Sequence, residues 1–258
     1  MRKTIYNKFD KRAITALPVL KFPGRIIVIM SEGETEKAVD YLLSSDILGV
    51  DTETRPSFHR GEMHKVALLQ VSTRDTCFLF RLNHTGITPA IKRLLEDTTV
   101  KKIGLSWHDD ILMLRKRQEF TPGLFIDLQD IVGSIGIEDR SLQKLYANVF
   151  GQKISKRQRL TNWEIDVLND KQKQYAATDA WSCINLYEEI ERLRKTGDYN
   201  LVVSEEEREK SEEGREISKE GKEKSEEGRV KNQIVVRSRG YSKTYHFIFK
   251  LLFNRSNF

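Results

Sequence analysis

The sequence has few cysteines and no long apolar run, and each shortage excludes a class of protein. The two cysteines, Cys77 and Cys183, form no Cys-x-x-Cys pair, which argues against a disulfide scaffold or a cysteine zinc site. No apolar stretch reaches the ~20 residues that a transmembrane helix needs. Residues 1–25 also lack the continuous apolar segment of a signal peptide. We therefore expect a cytoplasmic protein with no membrane anchor and no disulfide partner.

The overall composition is that of a polar protein with a core. The chain has 258 residues, of which 38% are hydrophobic and 32% are charged, so one large domain can be buried. The net charge of +6 favours a polyanionic partner such as nucleic acid, although many basic proteins bind no particular anion. Charge alone therefore leaves the function open.

Apolar patterning predicts a mixed α/β domain. Strands are predicted at 25–30, 47–52, 66–72, 76–81, 100–105 and 125–127. The short connector 73–75 indicates an antiparallel hairpin. Helices are predicted at 34–43, 89–95, 109–117, 128–135, 142–150 and 169–193.

Both ends of the chain differ from this domain, which we expect at 23–203. Residues 1–22 are basic and have little periodicity, so we expect an N-terminal arm over the surface. Residues 204–229 contain 11 Glu and 7 Lys or Arg among 26 residues, a low-complexity composition that predicts a disordered charged tail or an isolated helix. Residues 230–258 form a basic extension, which is either dispensable or adhesive.

Two carboxylates follow the apolar run at 47–50. Asp51 and Glu53 are two residues apart, and because side chains alternate along an extended chain, both point to the same side. Neighbouring carboxylates repel each other unless a divalent cation such as Mg²⁺ or Mn²⁺ binds them. The pattern predicts a metal site, although the same acids alone would equally suit a solvated strand end.

Two later positions can join this pair. Asp109 and Asp110 open a predicted helix, where the helix dipole alone also favours acids. Tyr175 and Asp179 share one helix face, where the aspartate is costly to bury unless it is paired or bound to metal. A structural Tyr–Asp hydrogen bond is the alternative. Four converging carboxylates suit two divalent cations about 3.5–4 Å apart, which stabilise an in-line displacement at phosphorus.

The order of these motifs resembles that of the DEDDy branch of the 3′→5′ exonuclease superfamily. The resemblance covers residues 23–195, is closest to the Werner-syndrome-type exonuclease domain and is more distant to ribonuclease D. It implies a ribonuclease H-like mixed β-sheet flanked by helices. The residues that carry it are Val50-Asp51-Thr52-Glu53-Thr54, Lys102-Ile103-Gly104 with an aspartate six residues after the glycine, Thr161-Asn162-Trp163-Glu164, Asp170-Lys171-Gln172 and Tyr175-Ala176-Ala177-Thr178-Asp179-Ala180.

The resemblance also implies a role for each acid. Asp51 would bridge two Mg²⁺ or Mn²⁺ ions, and Glu53 and Asp179 would complete the site of the first ion. Asp110 would hold the second ion, and Tyr175 would orient the attacking water. The implied reaction removes nucleoside 5′-monophosphates from a single-stranded or recessed 3′ end of DNA, with RNA as the alternative substrate.

The sequence leaves open which aspartate holds the second ion and which residues contact the substrate. The register of Lys102-Ile103-Gly104 selects Asp110, whereas a slip of one residue selects Asp109. His64, together with its neighbours His59, Arg60 and Lys65, could flank the terminal nucleotide. A basic loop could contact the phosphodiester backbone or simply be solvated; its residues are Lys153, Lys156, Arg157 and Arg159.

Two other classes of function compete with the nuclease. A catalytically silent nucleic-acid-binding module of the same fold would need a broken carboxylate set, and the sequence retains all four acids and the tyrosine. A scaffold that acts through residues 204–258 would lose its function when they are deleted, with nuclease activity intact. We further expect His108 at the surface and the three tryptophans in the core.

Overall fold

The computed structural model describes residues 2–59 and 61–203. These residues form the predicted α/β fold, a mixed sheet with helices on both faces, together with a second sheet of two strands. The strands are β1 Lys3–Tyr6, β2 Arg25–Ile29, β3 Ile47–Glu53, β4 Leu68–Ser72, β5 Thr76–Arg81, β6 Lys101–Gly104, β7 Phe125–Asp127 and β8 Tyr199–Val202. The helices are α1 Glu32–Leu43, α2 Leu82–Thr85, α3 Pro89–Glu96, α4 Trp107–Arg115, α5 Leu128–Ile131, α6 Leu142–Phe150 and α7 Asp170–Thr196.

The main sheet has the strand order β2-β5-β4-β3-β6-β7. The predicted hairpin is confirmed, because β4 pairs antiparallel with β5 and also with β3. The other pairs are parallel, so β3, β6 and β7 run in one direction. Their carboxyl ends therefore meet at one edge of the sheet, the place where open α/β sheets bind ligands.

Helices cover the two faces of this sheet. Apolar residues of α1, α3 and α4 pack on one face against β3, β4 and β5. The long helix α7 packs on the other face, and a capping box between Asn169 and Gln172 fixes its start. A Cβ added to Gly49 of β3 would lie 2.0 Å from the carbonyl oxygen of Ala180. Only glycine therefore allows α7 to lie directly on this strand.

The N-terminal segment differs from the expected loose arm. Strand β1 pairs in parallel with β8, so the two ends of the described chain lie side by side. Ile5 is fully buried, and Ile14, Leu20 and Phe22 are buried as well. The basic composition of residues 1–22 concealed these apolar anchors because they do not recur with a strand or helix period.

Two predicted helices also differ in extent. The helix predicted at 128–135 is α5 followed by a 3₁₀ turn at Val132–Ile135, and α4 begins two residues earlier than predicted, at Trp107. Among the described residues, no helix is both long and apolar enough for a membrane span. The predictions for 204–258 lie outside the described residues.

Candidate active site

Three carboxylates meet at the carboxyl end of β3. Asp51, Glu53 and Asp179 each have an oxygen atom within 4.8 Å of the others. The first two lie on the strand face that α7 covers, and Asp179 lies on α7 itself, one residue before the Ala180 carbonyl that contacts Gly49. Glu53 and Asp179 are buried, and Asp51 is half-buried. The fold thus brings Asp179 of α7 next to the two acids of β3, which are at least 126 residues away from it in the sequence.

Asp110 approaches the same edge from the opposite layer. Its carboxylate accepts a hydrogen bond from the hydroxyl of Thr52, which lies between the two acids of β3. Asp109, its neighbour on α4, is exposed. Asp110 lies outside the group of three acids whose oxygens are within 4.8 Å of one another. Of the two alternatives that the sequence leaves open, Asp110 is the one that contacts β3, through Thr52.

The electrostatics of the cluster follow from burial and like charge. Burial, together with the charges of Asp179 and Asp110, raises the pKa of Asp51 well above its ordinary value. Burial and the charges of Asp51, Asp179 and Asp110 raise the pKa of Glu53. Burial also raises the pKa of Asp179 to about 7 and that of Asp110 to about 6. In the absence of a cation, the site therefore retains protons at a pH where isolated carboxyl groups have lost them.

Tyr175 lies one helical turn before Asp179 and is buried. Its ring packs 6.0 Å from the ring of Trp163, centroid to centroid, which fixes the direction of the phenol. Burial and the charges of Asp179, Glu53 and Asp51 raise the pKa of Tyr175. Its hydroxyl therefore remains protonated and able to donate a hydrogen bond.

The residues present fit a site for divalent cations. The donor set consists of carboxylate oxygens, which are the ligands that Mg²⁺ and Mn²⁺ prefer. Within the described part of the chain, Oδ1 of Asp179 is buried and has no hydrogen-bond partner. A cation coordinated by this atom would supply the missing partner and remove the repulsion between the acids.

The predicted substrate-binding residues fall into two groups. Lys156 and Arg159 line a cavity of about 330 Å³ that also contains Asp51, Tyr175 and Asp179. Arg157 lines two neighbouring cavities instead. His64 lies apart from the cavity, 3.0 Å from Glu62 and 3.5 Å from Glu164, and Arg60 lies outside the described residues. As expected, His108 is exposed.

Two tryptophans, Trp107 and Trp163, are buried as expected. Trp181 is half-buried: its ring contacts Phe22 and its indole N–H donates to the carbonyl of Arg74.

The structure adds residues that the sequence did not single out. Asp127, at the end of β7, accepts hydrogen bonds from the backbone N–H groups of Ser106 and Trp107 at 3.0 and 2.8 Å. It thereby fixes the start of α4, where Ser106 has a positive φ of 63°. Gln70 is fully buried and directly opposite Asp51 in the sheet. The acid at the end of the predicted strand 125–127 is a signal for Asp127, whereas Gln70 lacks any comparable signal.

Comparisons with known proteins agree on one family. A family model described as a 3′-5′ exonuclease matches residues 26–194. A 3′-5′ exonuclease of Arabidopsis thaliana is 31% identical over 208 residues, covering 74% of this chain and 72% of that protein. The mouse protein named bifunctional 3′-5′ exonuclease/ATP-dependent helicase WRN is 30% identical over 190 residues. That match covers 70% of this chain but only 14% of the mouse protein.

A solved structure agrees with the fold. The crystal structure of Escherichia coli RNase D, an exoribonuclease involved in structured RNA processing, superimposes with a TM-score of 0.58 at 18% identity. The match covers 69% of this chain and 52% of that one. With the family model matching most of the chain and the carboxylates gathered at the expected edge, the chain belongs to the 3′-5′ exonuclease family.

Proposed function

We propose that this protein is a metal-dependent 3′-5′ exonuclease that hydrolyses DNA from its 3′ end and releases nucleoside 5′-monophosphates. The observation that carries the proposal is the meeting of Asp51, Glu53 and Asp179 within 4.8 Å, beside a buried tyrosine. Two divalent cations held there would lower the pKa of the attacking water and neutralise the charge that develops on the phosphate and the leaving oxygen.

Each side chain of the site has its own role in the proposed reaction. By the roles that the family resemblance implies, Asp51 would help to hold both cations, Glu53 and Asp179 would hold the first, and Asp110 would hold the second. The Tyr175 ring packs against the Trp163 ring, with the ring centroids 6.0 Å apart, and the Tyr175 hydroxyl would donate a hydrogen bond that orients the attacking water. The bond that breaks joins phosphorus to the 3′ oxygen of the preceding nucleotide, which leaves with a proton.

The substrate is a 3′-ended strand whose phosphates are held by basic side chains. Lys156 and Arg159 line the same cavity as the acids and supply the positive charge that a phosphodiester needs. The choice of DNA follows from the resemblance of the Asn162-Trp163 and Tyr175–Ala180 motifs to the Werner-type exonuclease domain. The fold shared with an exoribonuclease makes RNA the alternative substrate class.

The test uses DNA and RNA strands of identical sequence, labelled at the 5′ end, with Mn²⁺ or with EDTA. We expect a ladder that shortens from the 3′ end with Mn²⁺ and no ladder with EDTA or in Asp51→Ala. The preferred strand identifies the substrate class. Intact strands under all conditions, with the protein folded and bound to the strand, would favour the silent binding module instead.

A further inference from the structure

A second cavity adjoins the carboxylate cavity and is strongly basic. It has a volume of about 470 Å³ and lies between the N-terminal segment 11–19 and the loop 153–157. We refer to it as the basic groove, defined by Lys11, Lys153, Lys156 and Arg157. Among the described residues that line it, no side chain is a carboxylate.

The basic groove adjoins the candidate active site. Gln143, Ile154 and Lys156 line both the groove and the carboxylate cavity. The amide of Gln143 donates to the carbonyl of Ile154 at 2.7 Å, which fixes the boundary between the two spaces. A strand whose 3′ end lies among the carboxylates would therefore have the groove as its neighbouring basic surface.

Three cations of the groove have no acidic side chain of the described chain within ion-pair distance, in contrast to several arginines elsewhere on the surface. Arg74, Arg93 and Arg192 each form ion pairs with one or two acids on their own or neighbouring elements. Within the described residues, Lys11, Lys156 and Arg157 form no ion pair. Burial, Arg159 and Lys11 lower the pKa of Lys156, whereas the charge of Asp179 acts in the opposite direction. An anion in the groove would relieve this repulsion.

The groove is held in shape by backbone hydrogen bonds. The N–H of Lys153 donates to the carbonyl of Pro18 at 2.9 Å, and the N–H of Leu20 donates to the carbonyl of Lys153 at 2.8 Å. The ammonium group of Lys153 donates to the carbonyl of Thr15, and Ile14 is buried beneath the segment. Lys11 is thus carried by a fixed wall, while its own side chain is exposed.

We propose that the basic groove binds the phosphates of the nucleotides on the 5′ side of the scissile bond, with the N-terminal segment as its outer wall. This inference rests on the proposed function for the position of the 3′ end. It adds a part of the chain outside the family match, which begins at residue 26. The ligand class is a single-stranded polynucleotide longer than the carboxylate cavity alone accommodates.

The first test measures binding without hydrolysis. Fluorescence anisotropy with a labelled oligothymidylate of about 12 nucleotides, in EDTA, gives Kd and its salt dependence. We expect Lys11→Gln to raise Kd about fivefold and to reduce the slope of log K against log salt by about 0.7. Lys11→Arg should restore both. Lys37→Gln, an exposed lysine of α1 far in sequence from the groove, is the matched control.

The second test separates this inference from the proposed function. Hydrolysis of the long strand is compared with hydrolysis of a dinucleotide, and we expect Lys11→Gln to reduce the preference for the long strand about fivefold. If Lys11→Gln leaves both binding and strand preference unchanged, while the wild-type protein hydrolyses the strand, the proposed binding in the groove is wrong and the proposed exonuclease activity is unaffected. If binding depends on Lys11 but the protein hydrolyses neither strand, the proposed binding in the groove is supported and the proposed exonuclease activity is wrong.

Discussion

Asp51, Glu53 and Asp179 are held within 4.8 Å of one another although buried like charges repel. The fold tolerates this because β3 and α7 are fixed by packing elsewhere, so the carboxylates cannot separate to relieve the repulsion. A protein that keeps such a cluster without a cation sacrifices stability for function. The consequence can be measured as a dependence of stability on pH.

We expect the metal-free protein to lose stability as the pH rises from about 4, the ordinary carboxyl pKa, through about 6 and 7, the folded-state pKa values of Asp110 and Asp179. The pKa values of Asp51, Glu53, Asp110 and Asp179 are all raised in the folded state, so the folded state binds more protons than the unfolded state. Their contribution is complete below the unfolded pKa values and is lost as the pH passes the folded ones. Thermal denaturation in EDTA across this range measures it.

Two comparisons make this prediction specific. Mn²⁺ competes with protons for the carboxylates, so its stabilising effect should grow over the same pH range. Asp51→Asn removes one of the repelling charges and should flatten the pH dependence in EDTA, whereas Asp109→Asn, which removes only one contribution to the raised pKa of Asp110, should flatten it less. Equal pH dependence in wild type and Asp51→Asn would mean that the cluster carries no such repulsion.

Asp110 and Asp109 form a natural pair for testing which aspartate of α4 serves the site. Asp110 accepts a hydrogen bond from Thr52, and Asp109 is exposed. We expect Asp110→Ala to reduce hydrolysis of a 3′-ended strand by about 100-fold or more, and Asp109→Ala to leave it nearly unchanged. Initial rates at saturating Mn²⁺ measure both. The reverse order of effects would assign the role to Asp109.

At the scale of elements, the contact between β3 and α7 decides whether the carboxylates meet. A Cβ on Gly49 would lie 2.0 Å from the Ala180 carbonyl oxygen, one residue beyond Asp179. Gly49→Ala should therefore shift α7, destabilise the protein by about 1–3 kcal/mol and weaken Mn²⁺ binding. Urea denaturation and calorimetric titration with Mn²⁺ measure the two effects.

Gly33 provides the control for this substitution. A Cβ at Gly33 in α1 has no atom within 4 Å, so Gly33→Ala should be neutral or stabilise by up to about 1 kcal/mol. If Gly49→Ala behaved like Gly33→Ala, the close approach of α7 would not be what positions Asp179.

The elements that the sequence predicted well are those with a strong local signal. The hairpin of β4 and β5, with its polar connector, and α6, with its glycine stop, lie where expected. Strands β1 and β8 were not predicted because each has four residues and pairs with a partner nearly 200 residues away, which leaves no local pattern. Asp51, Glu53 and Asp179 were found from motif order, whereas Thr52 and Asp127 matter only through tertiary contacts.

At the scale of the whole molecule, β1 and β8 join the two ends of the described chain. Ile5 of β1 is fully buried in the core shared with α6 and α7. Ile5→Ala should therefore destabilise the domain by about 2–5 kcal/mol, as measured by urea denaturation. Ile27→Ala on β2, where the side chain is 37% exposed, should cost much less. If both substitutions lower the free energy of unfolding by the same small amount, the N-terminal segment contributes little to the stability of the domain.

The central claim is that the carboxylates at the end of β3 hold two divalent cations. Anomalous diffraction from crystals grown with Mn²⁺ and a nucleoside 5′-monophosphate tests it most directly. We expect two peaks about 3.5–4 Å apart, one in contact with Asp51, Glu53 and Asp179 and the other between Asp51 and Asp110. Mn²⁺ bound elsewhere, with these carboxylates hydrogen-bonded to one another instead, would contradict the account.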